Sequence, residues 1–178
     1  MLKMKNLLIL MPFLMVFLNC ASQNYLDPAT AERLVNEEQF TFMAQKANPT
    51  NYDVISMANS MPGYGSSRML NLDYGYTLTL KNKEMTVTLP YFGRAYSANV
   101  YDTDKQSFRF TSKNYTVQKS TTSKGNHLLR IKPNDISHIR LINIEIYKNG
   151  KAFVSVDAND RQPISYDGYI MRNEESKK

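Results

Sequence analysis

Ile142-Asn143-Ile144-Glu145-Ile146-Tyr147-Lys148-Asn149-Gly150-Lys151-Ala152-Phe153-Val154-Ser155-Val156 is the stretch that decides the fold. Apolar residues fall at every second position on both sides of a turn sequence, the period of a half-buried strand. A two-residue Asn149-Gly150 turn would set Ile144 opposite Ser155 and split the apolar set. A three-residue loop, Lys148-Asn149-Gly150 with Gly150 at positive φ, pairs Ile146 with Ala152, Ile144 with Val154 and Ile142 with Val156. The apolar pattern therefore selects the bulged turn, because a one-residue slip would send a whole set of side chains to the other face.

The same grammar extends upstream. Tyr74, Tyr76, Leu78 and Leu80 alternate with Gly75, Thr77 and Thr79, and Met85, Val87 and Leu89 alternate with Thr86 and Thr88. A tight loop at Asn82-Lys83 pairs Lys81 with Glu84, Leu80 with Met85 and Leu78 with Val87, which also sets opposite charges across the turn. Phe40, Phe42 and Ala44 alternate with Thr41, Met43 and Gln45 until Asn48-Pro49 ends that strand. Phe108 and Phe110, then Tyr115 and Val117, then Leu129 and Ile131 mark three shorter strands, and Ser165 to Ile170 reads as a final edge strand. Eight or nine short strands with a turn about every ten residues predict an antiparallel barrel or sandwich. One helix precedes them: Asp27 is its cap, Pro28 its first residue, and Ala31, Leu34 and Val35 its apolar face. Thr50 to Asp73, containing Met61-Pro62-Gly63-Tyr64-Gly65, reads as a long loop, and Asn173 to Lys178 as a polar tail.

The first 22 residues have the three parts of an export signal. Met1-Leu2-Lys3-Met4-Lys5 is basic, Asn6 to Leu18 is nearly all apolar, and Asn19-Cys20-Ala21-Ser22 is small or polar. The apolar run, about 12 residues, is shorter than the roughly 20 of a spanning helix. The expected location is the periplasm or cell envelope. Cleavage after Ser22 would leave a mature chain without cysteine. Cleavage before Cys20 would make that residue a lipid anchor, although Asn19 is not the small residue such signals carry there. The domain plan is then a signal at 1–22, a helical segment at 23–39, a β domain at 40–172 and the tail.

Cys20 is the chain's one cysteine, so no disulfide staples the fold and an ordinary core must hold it. Removing 22 residues from 178 leaves 156, enough for one domain. Lys3 and Lys5 leave with the signal, so 20 basic residues stand against 16 acidic, a net charge of +4. The cations are scattered rather than clustered, which argues against a nucleic-acid partner. His127 and His138 lack neighbouring ligands, so no metal site is expected. Hydrolase signatures and phosphate-binding glycine patterns are absent, no cofactor is implied, and a non-enzymatic protein is expected. Asp102, Asp104, Asp157, Asp160 and Asp167 all fall in loops or near strand ends. They could supply a carboxylate pair only if folding gathered them; solvated turn residues are the simpler reading.

Two segments depart from strand grammar. Leu89-Pro90-Tyr91-Phe92-Gly93-Arg94-Ala95-Tyr96-Ser97 and Asn159-Asp160-Arg161-Gln162-Pro163-Ile164-Ser165-Tyr166-Asp167-Gly168 each join an arginine to tyrosines through Pro or Gly. Brought together, Arg94 and Arg161 could face an anionic group between walls of Tyr91, Tyr96 and Tyr166. Alternatively, the arginines bind carbonyls and the tyrosines plug a barrel end. With the opening strand at 40–49, these segments resemble the domain of unknown function 4251 family of exported Bacteroidetes proteins, over roughly residues 33 to 171. The resemblance implies a lipocalin-like barrel or strongly curved sheet and assigns no catalytic residue. The 50–73 loop looks longer than the family's pattern. The functional expectation is a binding module for a small ligand or an envelope protein partner, touching a membrane only through Cys20. The alternatives are a secreted hydrolase using loop carboxylates and an interaction barrel with a filled interior.

Overall fold

The computed structural model describes residues 24–51, 55–56, 60, 70–96 and 107–174. The protein is mainly β: the described residues include nine antiparallel strands in a nearly closed, barrel-shaped sheet and a helix on its N-terminal side. The strands are β1 (Phe40–Pro49), β2 (Thr77–Lys81), β3 (Glu84–Pro90), β4 (Ser107–Ser112), β5 (Tyr115–Thr121), β6 (His127–Pro133), β7 (Ile139–Ile146), β8 (Lys151–Ala158) and β9 (Ile164–Met171). Their order across the sheet is β4-β3-β2-β1-β9-β8-β7-β6-β5.

Both hairpin registers follow from the apolar pattern. Ile142, Ile144 and Ile146 pair with Val156, Val154 and Ala152, and Leu78 and Leu80 pair with Val87 and Met85. The β7–β8 turn is the three-residue type: the Gly150 amide donates to the Tyr147 carbonyl at 3.0 Å and Gly150 takes φ +81°. The β2–β3 turn places both Asn82 and Lys83 at positive φ, 53° and 61°, the twist that a two-residue hairpin requires.

Ser165 to Ile170, expected at an edge, instead lies inside the sheet. β9 pairs with β8 on one side and β1 on the other, and Ile164, Tyr166 and Ile170 are buried. This pairing of first and last strands rolls the meander into a barrel. Gly168 makes the approach possible, since a Cβ there would collide with the Met43 carbonyl oxygen and sit 2.8 Å from the Phe42 ring. At Gln45 the β1–β9 register shifts, so Phe40, Phe42 and Ala44 point inward before the bulge and Ala47 after it.

Direction explains the remaining seam. Each neighbouring pair is antiparallel, and going round from β4 through β1 and β9 to β5 involves an even number of reversals. β4 and β5 therefore run the same way, joined by Lys113-Asn114. They form one bent strand whose first part pairs with β3 and whose second part pairs with β6. The nine strands thus act as eight staves. Asp135 holds the corner by accepting from the Ser112 hydroxyl and from the Lys113 and Asn114 amides, the last two at 2.9 and 3.1 Å. These donors lower the Asp135 carboxyl pKa, the Ser112 hydroxyl most of all.

The interior is a packed core. Phe40, Phe42, Leu78, Leu80, Met85, Leu89, Leu129, Ile131, Ile142, Ile144, Val154 and Ile170 have no accessible surface. A void large enough for water would expose part of the side chains lining it, so the space between these residues is closed to water. Helix α1 (Pro28–Glu37) adds Ala31, Leu34 and Val35 to this cluster. Its start is capped by Asp27, which accepts from the Thr30 amide at 2.9 Å. Its end is Glu38, in the left-handed conformation at φ 53°. Lys119 of β5 ties that end down through the Asn36 carbonyl and the Glu38 carboxylate, both at 2.8 Å. Ahead of the helix, the Tyr25 ring stacks on Tyr169 at 4.3 Å, and the Tyr25 and Leu26 amides donate to the Asn149 carbonyl. At the other end of the chain, Asn173 hydrogen-bonds Thr41 and the Leu80 carbonyl, so the polar tail begins with an anchored residue.

Candidate functional site

The two unusual segments meet. The residues after β3 run alongside those after β8 through a bridge between Ala95 and Arg161. Two backbone bonds flank it: the Tyr96 amide to the Asp160 carbonyl at 2.8 Å, and the Gln162 amide to the Arg94 carbonyl at 3.1 Å. Sequence local to either segment dictates the aromatics and the arginine; the meeting itself comes from barrel closure.

Arg161 is the centre, only 3% exposed. Its Nε and Nη2 donate to the two carboxylate oxygens of Asp160 at 3.1 and 2.9 Å, and Nη1 donates to the Ser107 carbonyl at 3.4 Å. The guanidinium carbon lies over the rings of Tyr91 and Phe108, 5.0 Å from each centroid. Those two rings meet edge to face at 5.6 Å. Hydrogen bonding to Arg161 holds the Asp160 carboxyl below the usual carboxylate range. A buried charge is tolerated here because it is paired bidentately and set against two aromatic rings.

The tyrosine hydroxyls serve the backbone. The Tyr91 hydroxyl lies 3.0 Å from the Arg94 carbonyl and 3.1 Å from the Gln162 carbonyl, so it spans both segments. Gly93 permits this fold-back, since a Cβ there would lie 2.5 Å from that hydroxyl. Tyr166 is fully buried and donates to the Pro90 carbonyl at 2.7 Å. Burial raises the pKa of both phenols.

Of the five residues singled out from sequence, Tyr91, Arg161 and Tyr166 thus form an internal clamp. Arg94 contributes its carbonyl to that clamp, while its side chain is exposed, as is Tyr96 at 64%. Arg161 does not turn outward beside Arg94, because Asp160, its immediate neighbour, claims the guanidinium. Phe108 and Ser107 were missed as members of this group. Phe108 gives no signal in sequence beyond its strand alternation; the β3–β4 pairing, which sets it opposite Leu89, brings it to the clamp.

The carboxylates named from sequence are dispersed among separate partners: Asp157 with Arg140, Asp160 with Arg161, and Asp167 with the Asn48 amide at 2.7 Å. Asp102, Asp104 and Cys20 lie outside the described residues, as does most of the 50–73 loop. His138 meets the Phe110 ring edge to face. Among the described residues, no group of three His, Cys, Asp or Glu could hold a metal ion. No described helix is long and apolar enough to cross a membrane.

A family model described as domain of unknown function (DUF4251) matches residues 23–170. The chain belongs to the DUF4251 family. In fold, this DUF4251 protein is similar to a crystal structure, at 1.95 Å resolution, of a DUF4251 family protein from Bacteroides eggerthii DSM 20697. The two share 14% identity with a TM-score of 0.50, over 84% of this chain and 89% of the other. No curated protein matches this chain.

Proposed function

We propose that this protein is an exported, non-enzymatic envelope module that binds a protein partner through its outer surface, its barrel interior being given over to core. The observation that carries this reading is the inaccessible interior: the inward side chains from Phe40 to Ile170 leave no room for a ligand. A lipid- or cofactor-carrying barrel needs a hollow centre. The clamp supports the same reading, because Arg161, Tyr91 and Tyr166 use their polar groups to fasten loops. The basic, apolar and small-residue start of the chain supports export.

The test is native mass spectrometry of protein purified from the cell envelope, combined with in-cell cross-linking from surface positions such as Tyr96. The expected result is a mass matching the mature chain and cross-links to another envelope protein. A co-purifying small molecule protected inside the barrel, or a purely cytoplasmic location, overturns the proposal. Palmitate labelling of wild type and Cys20→Ser separates a tethered barrel from a free one starting at Gln23.

A further inference from the structure

Several cations on the outer face of the sheet have an acid opposite them. Lys81 pairs across strands with Glu84, Lys46 with Asp167, and Arg140 binds Asp157. Arg130 and Lys132 on β6 have none, like the isolated Arg109 opposite Thr88 and Lys151 opposite Tyr169, but Arg130 and Lys132 lie side by side. The cross-strand neighbours of Arg130 are Gln118 and Asn143, and Lys132 faces Thr116. Among the described residues, neither side chain has an ion pair or a hydrogen bond. They project from one face of one strand two positions apart, which sets them about 7 Å from each other. Two cations that close repel when no anion lies between them.

They also share a concavity. Thr116, Gln118, Arg130, Lys132, Asn134 and Leu141 line a cleft of about 280 Å³ containing no carboxylate. Asn134 Nδ2 donates to Thr116 Oγ1 at 3.4 Å, which leaves the threonine hydrogen able to donate into the cleft. The Gln118 amide adds further donors. A guanidinium fork, an ammonium, an amide and a hydroxyl over one apolar residue suit a tetrahedral anion with several acceptor oxygens. The volume falls below the roughly 300 Å³ at which drug-sized pockets begin, so it suits a headgroup rather than an acyl chain.

We infer that the cleft between β5, β6 and β7 binds a phosphate group, carried on an anionic lipid headgroup or free in solution. The inference goes beyond the protein-binding reading and shares with it only the outward use of the barrel surface. Its test uses the mature chain with two probes. One is sedimentation with phosphatidylglycerol vesicles, against phosphatidylcholine alone. The other is titration with inorganic phosphate, followed by the amide resonances of residues 116–118 and 130–132.

Wild type is expected to bind the anionic vesicles, and Arg130→Gln with Lys132→Gln to bind roughly 30-fold more weakly, the loss for two surface charges near an anionic bilayer. Arg109→Gln with Lys151→Gln removes the same charge elsewhere and should retain binding. Shifts with inorganic phosphate but no vesicle binding would identify a soluble phosphate as the source. Equal losses in the two double variants, or no response to either probe, overturn the inference. A protein cross-link at another face, with both phosphate probes silent, would reject the cleft and spare the outward-binding reading. A small molecule found inside the barrel would do the reverse.

Discussion

Tyr166→Phe removes one oxygen atom from the most enclosed polar contact of the clamp. The ring stays, so packing in the fully buried site is preserved. What is lost is the 2.7 Å bond to the Pro90 carbonyl, and that carbonyl is left without its donor. An orphaned group of this kind costs about 1–3 kcal/mol. Taking about 2 kcal/mol and a domain of this size, Tm should fall by roughly 4–8 °C. Urea unfolding should show a lower midpoint with an unchanged slope.

The pH dependence supplies a second check. Burial raises the Tyr166 pKa above the ordinary tyrosine value, so above about pH 10 the unfolded chain releases a proton that the folded chain keeps. Wild-type stability therefore falls with rising pH there, while the phenylalanine variant lacks this contribution. By pH 11 the gap between them should shrink by about 1.4 kcal/mol. The other tyrosines titrate in both proteins and cancel. Identical melting temperatures at pH 7, or a gap that stays constant from pH 8 to 11, would refute the reasoning.

Three further outcomes follow from backbone and turn geometry. Lys83→Gly relieves a side chain held at φ 61° and should stabilise the protein by about 0.5–1 kcal/mol in urea melts; a loss of stability would contradict the assigned turn. Gly168→Ala forces a Cβ against Met43 and Phe42 and should cost about 3 kcal/mol, read as a Tm drop of roughly 6–12 °C; a melting temperature equal to wild type would mean β1 and β9 are not so close. The Asp135 pKa is lowered by its three donors, so the stability it contributes is present above the ordinary carboxylate pKa and lost as pH falls below about 4. Acid unfolding followed by circular dichroism should be steeper for wild type than for Asp135→Asn, and parallel curves would remove Asp135 from the corner.

Much of the sheet was legible because its information is local. The alternation around Lys148-Asn149-Gly150 fixes which residues can face each other, and a slip would bury Ser155 in place of Val154. The same holds at Asn82-Lys83 and at the helix, where Asp27, Pro28 and the Ala31, Leu34, Val35 stripe specify start and buried face. The site was half legible. The departure of residues 89–97 and 159–168 from strand grammar marked them as special, and they do meet. That Arg161 would be buried against Tyr91, Phe108 and the Ser107 carbonyl depends on partners far away in the sequence.

By itself, the sequence determined the strands, their local registers, the turns, the Pro28–Glu37 helix and a likeness to the DUF4251 family, since neighbouring residues set each of these. Tertiary structure alone decided the rest. It placed Ser165 to Ile170 inside the sheet because β1, more than a hundred residues earlier, needs a partner for its free edge. It made β4 and β5 one bent strand because a ring with this odd strand count cannot alternate direction throughout. It filled the barrel because inward side chains from every stave, each only half buried in its own hairpin, exclude water once the staves close on one another.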